Sequence, residues 1–367
     1  MNKKASSILK ALLLLLCGAL IVVVLYYFYV LLSFNRIPDN TELYVENNQA
    51  RVMKEEVEYK AVTYNLGFGC YSKEFSFFLD NADWKDGSHT TGKYGKGITR
   101  EDVIENVESQ AAVLRDIAPD FILLQEVDTD STRSYHIDMA TYFEETFPFM
   151  NSVFAINFHS PWLNLPIFDP IGIVNSGVLT LSRFKTDSAV RRSYPIASDF
   201  SRLFDLDRCF SVQRIPVEGG KTLVLVNSHM SAYDEGGVIR SQQLEMLTSF
   251  MEEEYKKGNW VIIGGDFNHV LGEEYLDAFP SQQVVPVWAY ILDNEDLPSH
   301  FSIVKPENGL EESTCRNADT PYIEGVNYST IIDGFIVSDN IEAKAEVYHT
   351  GYEESDHQPV VMTFKLK

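Results

Sequence analysis

Trp260-Val261-Ile262-Ile263-Gly264-Gly265-Asp266-Phe267-Asn268-His269 carries four residues suited to a buried strand, then two glycines, then a carboxylate and a carboxamide two positions apart. Glycines at a strand end allow a tight turn or a close backbone approach. Residues i and i+2 of an extended chain point the same way, so Asp266 and Asn268 are expected to converge on one ligand. Taken alone, the stretch also reads as a strand closed by an Asx-type turn, a common use of Asp and Asn. What favours a ligand is that other strand ends in the chain carry similar chemistry.

Working outward, residues 57–64 read as a strand that delivers Asn65-Leu66-Gly67-Phe68-Gly69. Thr99 followed by Asp102 is a capping signal, and Val103, Val107, Leu114 and Ile117 then recur at helical spacing before Pro119. The short apolar strand 121–124 delivers Gln125-Glu126-Val127-Asp128. Two strands joined by a helix thus each end in a polar group, the arrangement by which open α/β sheets build sites. Strands are also expected over 175–182, 209–217 and 223–226, the last delivering Asn227-Ser228-His229. Residues 240–255 form an amphipathic helix with Leu244, Leu247 and Met251 inward and Gly258 as its stop. Near the end, Asp333 falls inside the apolar strand 329–337. A strand is expected from 342 to 348, and Ser355-Asp356-His357 opens the final one, 360–366. Between these lie a long loop, 70–97, whose length suggests function, and an aromatic, proline-rich segment, 142–174. The latter is either core cover or an apolar lip that touches substrate or membrane.

The N-terminus is a separate unit. From Ile8 to Phe34 the chain is apolar, with no acid and the single charge of Lys10. A run of about 20 or more apolar residues suits a membrane span, whereas a signal-peptide core is about 7 to 15. We therefore expect residues 1–36 to be a cytoplasmic tip and uncleaved signal anchor, 37–56 a linker, and 57–367 one large domain. Lys3, Lys4 and Lys10 precede the span, which by the positive-inside tendency places the domain outside a cell membrane crossed once. Of the 30 basic and 53 acidic residues, four basic ones lie in the first 36, which leaves 26 against 53 and a net charge near −27 outside. Such an excess disfavours nucleic acid, because binding a polyanion relies on Lys and Arg. Cys70, Cys209 and Cys315 lie outside the membrane without metal-binding spacing, and they allow at most one disulfide.

Singly, each polar strand-end residue has a bland explanation as a turn residue, a cap or a solvated acid. Six strand ends or interiors carrying Asn, Glu, His, Asp-x-Asn, Asp and Asp-His are hard to obtain by chance. The ordered set Tyr64-Asn65, Gln125-Glu126, Ser176-Gly177 with Leu181-Ser182-Arg183, Asn227-Ser228-His229, Gly265-Asp266-Phe267-Asn268, Ile332-Asp333 and Ser355-Asp356-His357 resembles the endonuclease/exonuclease/phosphatase superfamily. That superfamily includes pancreatic-type deoxyribonucleases, apurinic-site endonucleases, neutral sphingomyelinases and inositol-phosphate 5-phosphatases. The resemblance spans residues 57–367. It implies a four-layer α/β sandwich of two packed mixed sheets flanked by helices, here preceded by one transmembrane helix. It also implies roles: Glu126 as principal Mg²⁺ ligand (Mn²⁺ being the alternative ion), with Asn65 and Asp356 in the metal environment. Asp266 would orient or deprotonate water, and Asn268 would donate to a phosphoryl oxygen. His357, paired with Asp333, would hold the phosphate or act as base, and His229 would contact phosphate or protonate the leaving oxygen. The usual acidic partner of His229 has no match.

Chemistry points the same way, since phosphate-ester hydrolysis needs charge stabilisation, an in-line water and help for the leaving oxygen. The expected function is a Mg²⁺-dependent, monomeric hydrolase of a lipid or small phosphoester. An extracellular nuclease is the alternative within enzymes, and a non-catalytic membrane-tethered binding module the alternative outside them.

Overall fold

Successive side chains of a strand face opposite ways, so apolar runs such as 223–226 and 260–263 demand cover on both faces. In a computed structural model, which describes residues 3–197, 207–232 and 237–367, they receive it. Met1, Asn2 and the side chains of Lys3 and Lys4, on which the expected membrane orientation partly rests, lie outside the described residues.

In chain order the elements are α1 (Lys3–Ser33), β1 (Thr41–Glu42), β2 (Glu58–Asn65), β3 (Asn81–Asp83), β4 (His89–Thr91), α2 (Arg100–Ile117) and β5 (Phe121–Asp128). There follow α3 (Met139–Thr146), β6 (Asn151–Leu163), β7 (Gly172–Ser182), β8 (Ser188–Ser193), β9 (Cys209–Pro216), β10 (Thr222–His229), α4 (Val238–Lys256) and β11 (Trp260–Asp266). The last are β12 (Phe301–Ile303), β13 (Cys315–Arg316), β14 (Ser329–Thr330), β15 (Asp333–Ser338), β16 (Ile341–Val347) and β17 (Val360–Leu366).

Among the described residues, one large sheet has the order β1-β8-β9-β10-β11-β15-β12 and the other β16-β17-β2-β5-β7-β6. Each is mixed, with one parallel pair, β10–β11 in the first and β2–β5 in the second. Leu223, Leu225, Trp260 and Ile262 face Ala61, Phe121, Leu123 and Met362 in the layer between the sheets. Their neighbours Val224, Val226, Val261 and Ile263 pack outward on Leu247, Phe250 and Met251 of α4. On the opposite outside, Val62, Ile122 and Leu124 meet Val107, Leu114 and Ile117 of α2 and Phe143 of α3. The expected four-layer sandwich results. Cutting a buried leucine of its middle back to alanine costs about 2–5 kcal/mol, so the strand ends that carry the polar residues have a stiff base.

Local chemistry sets the helix limits. Thr99 and Asp102 form the capping box, each side chain accepting from the other's backbone N–H at 3.1 Å. After α4, Gly258 takes a left-handed turn (φ 82°) and donates to Tyr255 O at 2.8 Å. The segment 37–56 does more than connect. Thr41–Glu42 pairs with β8, and Met53 is fully buried in the inter-sheet core. Segment 142–174 divides between core cover and exposed apolar chain. Phe143 and Leu163 are core, whereas Phe168 is 99% exposed. All four cysteines are free thiols.

Candidate active site

The glycines of β11 act as their position suggested. A Cβ on Gly265 (φ 156°) would come within 1.9 Å of Ser228 O, and one on Gly264 within 2.6 Å of the Phe335 ring. Only glycine permits β10 and β15 to close in here. Register then does the placing: His229 on β10 and Asp333 on β15 both lie directly opposite Asp266, the last residue of β11. From the other sheet, Asn65 at the end of β2 reaches across, its amide donating to Asp266 Oδ2 at 3.0 Å.

Asn268 reaches the same pocket by a route other than the one expected. The pleat ends at Asp266, and Asn268 is left-handed (φ 50°), with its backbone N–H donating to Asp266 Oδ1 at 2.8 Å. The parallel orientation inferred from extended chain is therefore corrected to an Asx turn, which brings Asn268 to the pocket while its amide donates to Met230 O at 2.9 Å. Glu126 needs a similar correction. β5 continues past Leu124 to Asp128, and a bulge between Leu124 and Val127 puts Glu126 at φ 54°. Bulges re-aim side chains, and this one turns Glu126 into the pocket.

Asp356 and His357 approach in the turn before β17. Ser355 Oγ donates to Asn65 O at 2.8 Å and accepts from His357 N at 3.1 Å, tying that turn to the end of β2. Gly67 is packed so closely that a Cβ would fall 2.8 Å from Asp356 Oδ1. His357 Nδ1 is 2.8 Å from Asp333 Oδ2, and its Nε2 points toward Asp266 Oδ2 at 3.9 Å. His229 Nε2 is 3.6 Å from Asp266 Oδ2 and 3.8 Å from Glu126 Oε1. All eight expected site residues thus gather at one edge of the sheets. Asn65 has a specific place there: its Oδ1 accepts from Gly67 N at 3.0 Å and its amide donates to Asp266, so it fixes that carboxylate.

The electrostatics follow from burial first and neighbouring charges second. Burial, then the facing Asp333, raises the Asp266 carboxyl to about 6. Burial likewise raises Glu126, Asp356 and Asp333 above the usual carboxylate range. Burial alone would depress His357, but Asp333, Cys315 and Asp356 outweigh it and hold the imidazole protonated well above its ordinary range. His229 goes the other way, because burial, Arg208 and His357 all disfavour its charge.

Several pocket residues escaped sequence reading. The missing partner of His229 is an amide: Asn157 on β6 stands 3.2 Å from Nδ1. A neutral partner orients the ring without stabilising its cation, consistent with a neutral His229. Arg133 lines the wall, paired to Asp128 at 3.0 and 2.8 Å and lying over the Phe68 ring at 3.7 Å. Arg316 on β13 is 2% exposed and lines the pocket. One nitrogen donates to Ser72 O at 3.0 Å, while Nε and Nη1 have no acceptor. A lone arginine in a loop-rich region gives no periodic signal, which is why only the fold reveals it.

A divalent cation fits this donor set. Four carboxylates lie close together at this edge, burial makes each reluctant to ionise, and they offer the hard oxygens Mg²⁺ prefers. Ligand atoms of Asp266, Asp333 and His357 also lie within 4.8 Å of one another. We read Asp333 and His357 as a hydrogen-bonded pair facing Asp266 at 3.9 Å, because Asp333 is wholly buried behind the imidazole it holds. Glu126 and Asp356 are the acids that remain.

A four-layer sandwich with acids, amides and two histidines at one edge is the architecture of a class of phosphoester hydrolases. Residues 62–357 match the Endonuclease/Exonuclease/phosphatase family, and the chain belongs to it. Enzymes of this family hydrolyse phosphoesters and generally use divalent metals. No curated protein matches the chain. Among solved structures it is similar to an endonuclease/exonuclease/phosphatase from Beutenbergia cavernae (16% identity, 84% of this chain and 72% of that one, TM-score 0.55). It is also similar to D. rerio TDP2 complexed with single-strand DNA product (14%, 84% and 100%, TM-score 0.51). A third is ANGEL2, a 2′,3′-cyclic phosphatase, in complex with adenosine-2′,3′-vanadate (16%, 89% and 99%, TM-score 0.51). At these identities the likeness concerns fold.

Proposed function

We propose that this protein is a Mg²⁺-dependent phosphoester hydrolase, anchored by α1 in a cell membrane with its catalytic domain outside, acting on a lipid or small phosphoester. The observation that carries the reading is the convergence of Glu126, Asp356, Asp266, His229 and the Asp333–His357 pair on one pocket. Glu126 and Asp356 would hold the cation, with Asn65 steadying Asp266 beside it. When bound, the cation supplies positive charge to the phosphoryl oxygens.

Asp266 orients the attacking water and accepts its proton. His357, charged and braced by Asp333, holds a phosphoryl oxygen, which favours the binding role over the base role for that residue. With the Asn157 NH₂ directed at Nδ1, the neutral His229 carries its proton on Nε2, facing the pocket and able to donate to the leaving oxygen. Arg316 offers its two unpartnered nitrogens to a further phosphoryl oxygen. A charged fork of this kind loses geometry when replaced by lysine. Arg316→Lys is therefore expected to weaken inhibition by inorganic phosphate about tenfold, near 1.4 kcal/mol, with the melting temperature held. Unchanged inhibition would assign Arg316 to structure alone.

The nuclease alternative is disfavoured by the domain's net charge near −27. A binding module is disfavoured by the complete set of acids and histidines. The test is an assay of the purified full chain with Mg²⁺ against DNA, sphingomyelin, phosphoinositides and a generic phosphodiester, with a chelator control. Chelator-sensitive hydrolysis of a non-nucleic substrate is expected. Hydrolysis that ignores the chelator, or none at all, would sink the reading. Protease added to intact cells should remove the domain, and protection until lysis would refute its location outside.

A further inference from the structure

α1 is fastened to the domain it carries. Tyr26 Oη donates to Trp162 O at 3.1 Å and accepts from Asn164 N at 2.8 Å, while Tyr29 Oη accepts from Trp162 N at 3.2 Å. Val30 is 4% exposed, in one cluster with Phe68, Phe158 and Ile171. Those last three also line the catalytic pocket. The end of β6, the last turns of α1 and one pocket wall are therefore a single packed unit.

Helix length fixes where that unit stands relative to a bilayer. Counted from Ile8, a hydrocarbon core of roughly 30 Å takes about 20 residues at about 1.5 Å rise each, although the apolar run itself continues to Phe34. The membrane boundary then falls at Tyr26–Tyr29, the level at which Trp162 and Asn164 are held. Tyrosine and tryptophan favour that interface. The chain leaving this level exposes apolar side chains between the buried Leu163 and Ile171, with Ile167 66% and Phe168 99% exposed and Trp162, Leu165 and Ile173 partly so. The strongly acidic domain gains nothing from anionic headgroups, so apolar insertion is the contact available to it.

We propose that residues 162–173 form a second membrane contact. They dip beside α1 into the bilayer that holds the helix, and so present the pocket mouth to lipid headgroups, whose phosphoester is the substrate class. This rests on reading α1 as a membrane span and the site as a phosphoester hydrolase. Phe168 can be tested against Phe149, which is 83% exposed and lies just before the opposite end of β6, a strand about 40 Å long at strand rise.

In vesicles of phosphatidylcholine brominated on its acyl chains, the added emission of Phe168→Trp in the full chain should be quenched at least twofold, and that of Phe149→Trp should not. Equal quenching at both positions, or none at 168, overturns the contact. In parallel, the double variant Ile167→Asp with Phe168→Asp should lose at least tenfold in turnover of vesicles containing phosphatidylcholine, sphingomyelin and phosphoinositide. Its turnover of soluble bis(p-nitrophenyl) phosphate should stay unchanged. Equal turnover of vesicles by variant and unmodified chain, or hydrolysis of the soluble ester alone by the unmodified chain, overturns the lipid assignment. An unmodified chain that hydrolyses neither fails as a hydrolase, while the quenching result still decides the contact.

Discussion

Replacing Asp266 by asparagine is expected to lower kcat by about 100- to 10,000-fold, the span of a general acid or base contribution, while KM changes little. The substitution keeps the outline of the side chain and removes its charge, but its single oxygen accepts from only one of the Asn65 amide (3.0 Å) and the Asn268 backbone N–H (2.8 Å). His357→Ala should act on the same step, because its imidazole faces the same carboxylate at 3.9 Å. The double variant should lose clearly less than the sum of the two, since both residues serve one transition state. Stability should not follow activity for Asp266→Asn. Asp266 and Asp333 face each other across β11 and β15, and that repulsion helps raise the Asp266 carboxyl to about 6. Relieving it should offset the hydrogen bond lost at Asn65 or Asn268, so the melting temperature should change little. Steady-state kinetics with circular dichroism melts on each variant check both expectations. Near-normal turnover in a folded single variant would mean that this strand-end cluster is not the catalytic centre.

Glu126→Gln is expected to remove most Mg²⁺-dependent activity, at least about 100-fold at limiting metal, given that even outer groups around a metal cost 10- to 100-fold. Glutamine fits the same bulge and fills the same space, but lacks the charge that a hard cation requires. Part of the loss should return as Mg²⁺ is raised, and a metal titration of initial rates would display that shift. A rate curve superimposable on that of the unmodified chain would move the metal to other residues. The change also removes the nearest acid from His229 Nε2 other than Asp266. A residual defect at saturating Mg²⁺ is therefore expected, through the leaving-group step.

The order of polar strand ends was legible because strands are short and regular. An apolar run stops, a turn follows, and the residue at the stop faces the edge of the sheet. That logic gave the strands, the helices and the polar strand ends that gather at one edge of the sheets, while the sandwich was what the family resemblance implied. It was weaker wherever the chain departs from regular backbone. Extended geometry misjudged how Asn268 arrives, and strand periodicity stopped β5 before the bulge that aims Glu126. Asn157 and Arg316 left no mark at all, since one amide in a long edge strand and one arginine between turns resemble any others.

By itself, then, the sequence determined the strands and helices, the membrane-length helix and the polar strand ends, because these follow from hydrophobic periodicity and glycine placement along a local stretch, while the layers were implied by the family resemblance. Only the tertiary structure decided their chemical state. Asn65 and Asp266 are 201 residues apart yet share a hydrogen bond, and Asp266 faces Asp333 from another strand. A carboxyl that titrates late, an imidazole that stays charged and another that stays neutral arise from burial and from distances of a few ångströms between such groups. Coulomb energies and desolvation depend on separation in space, which no spacing along the chain encodes.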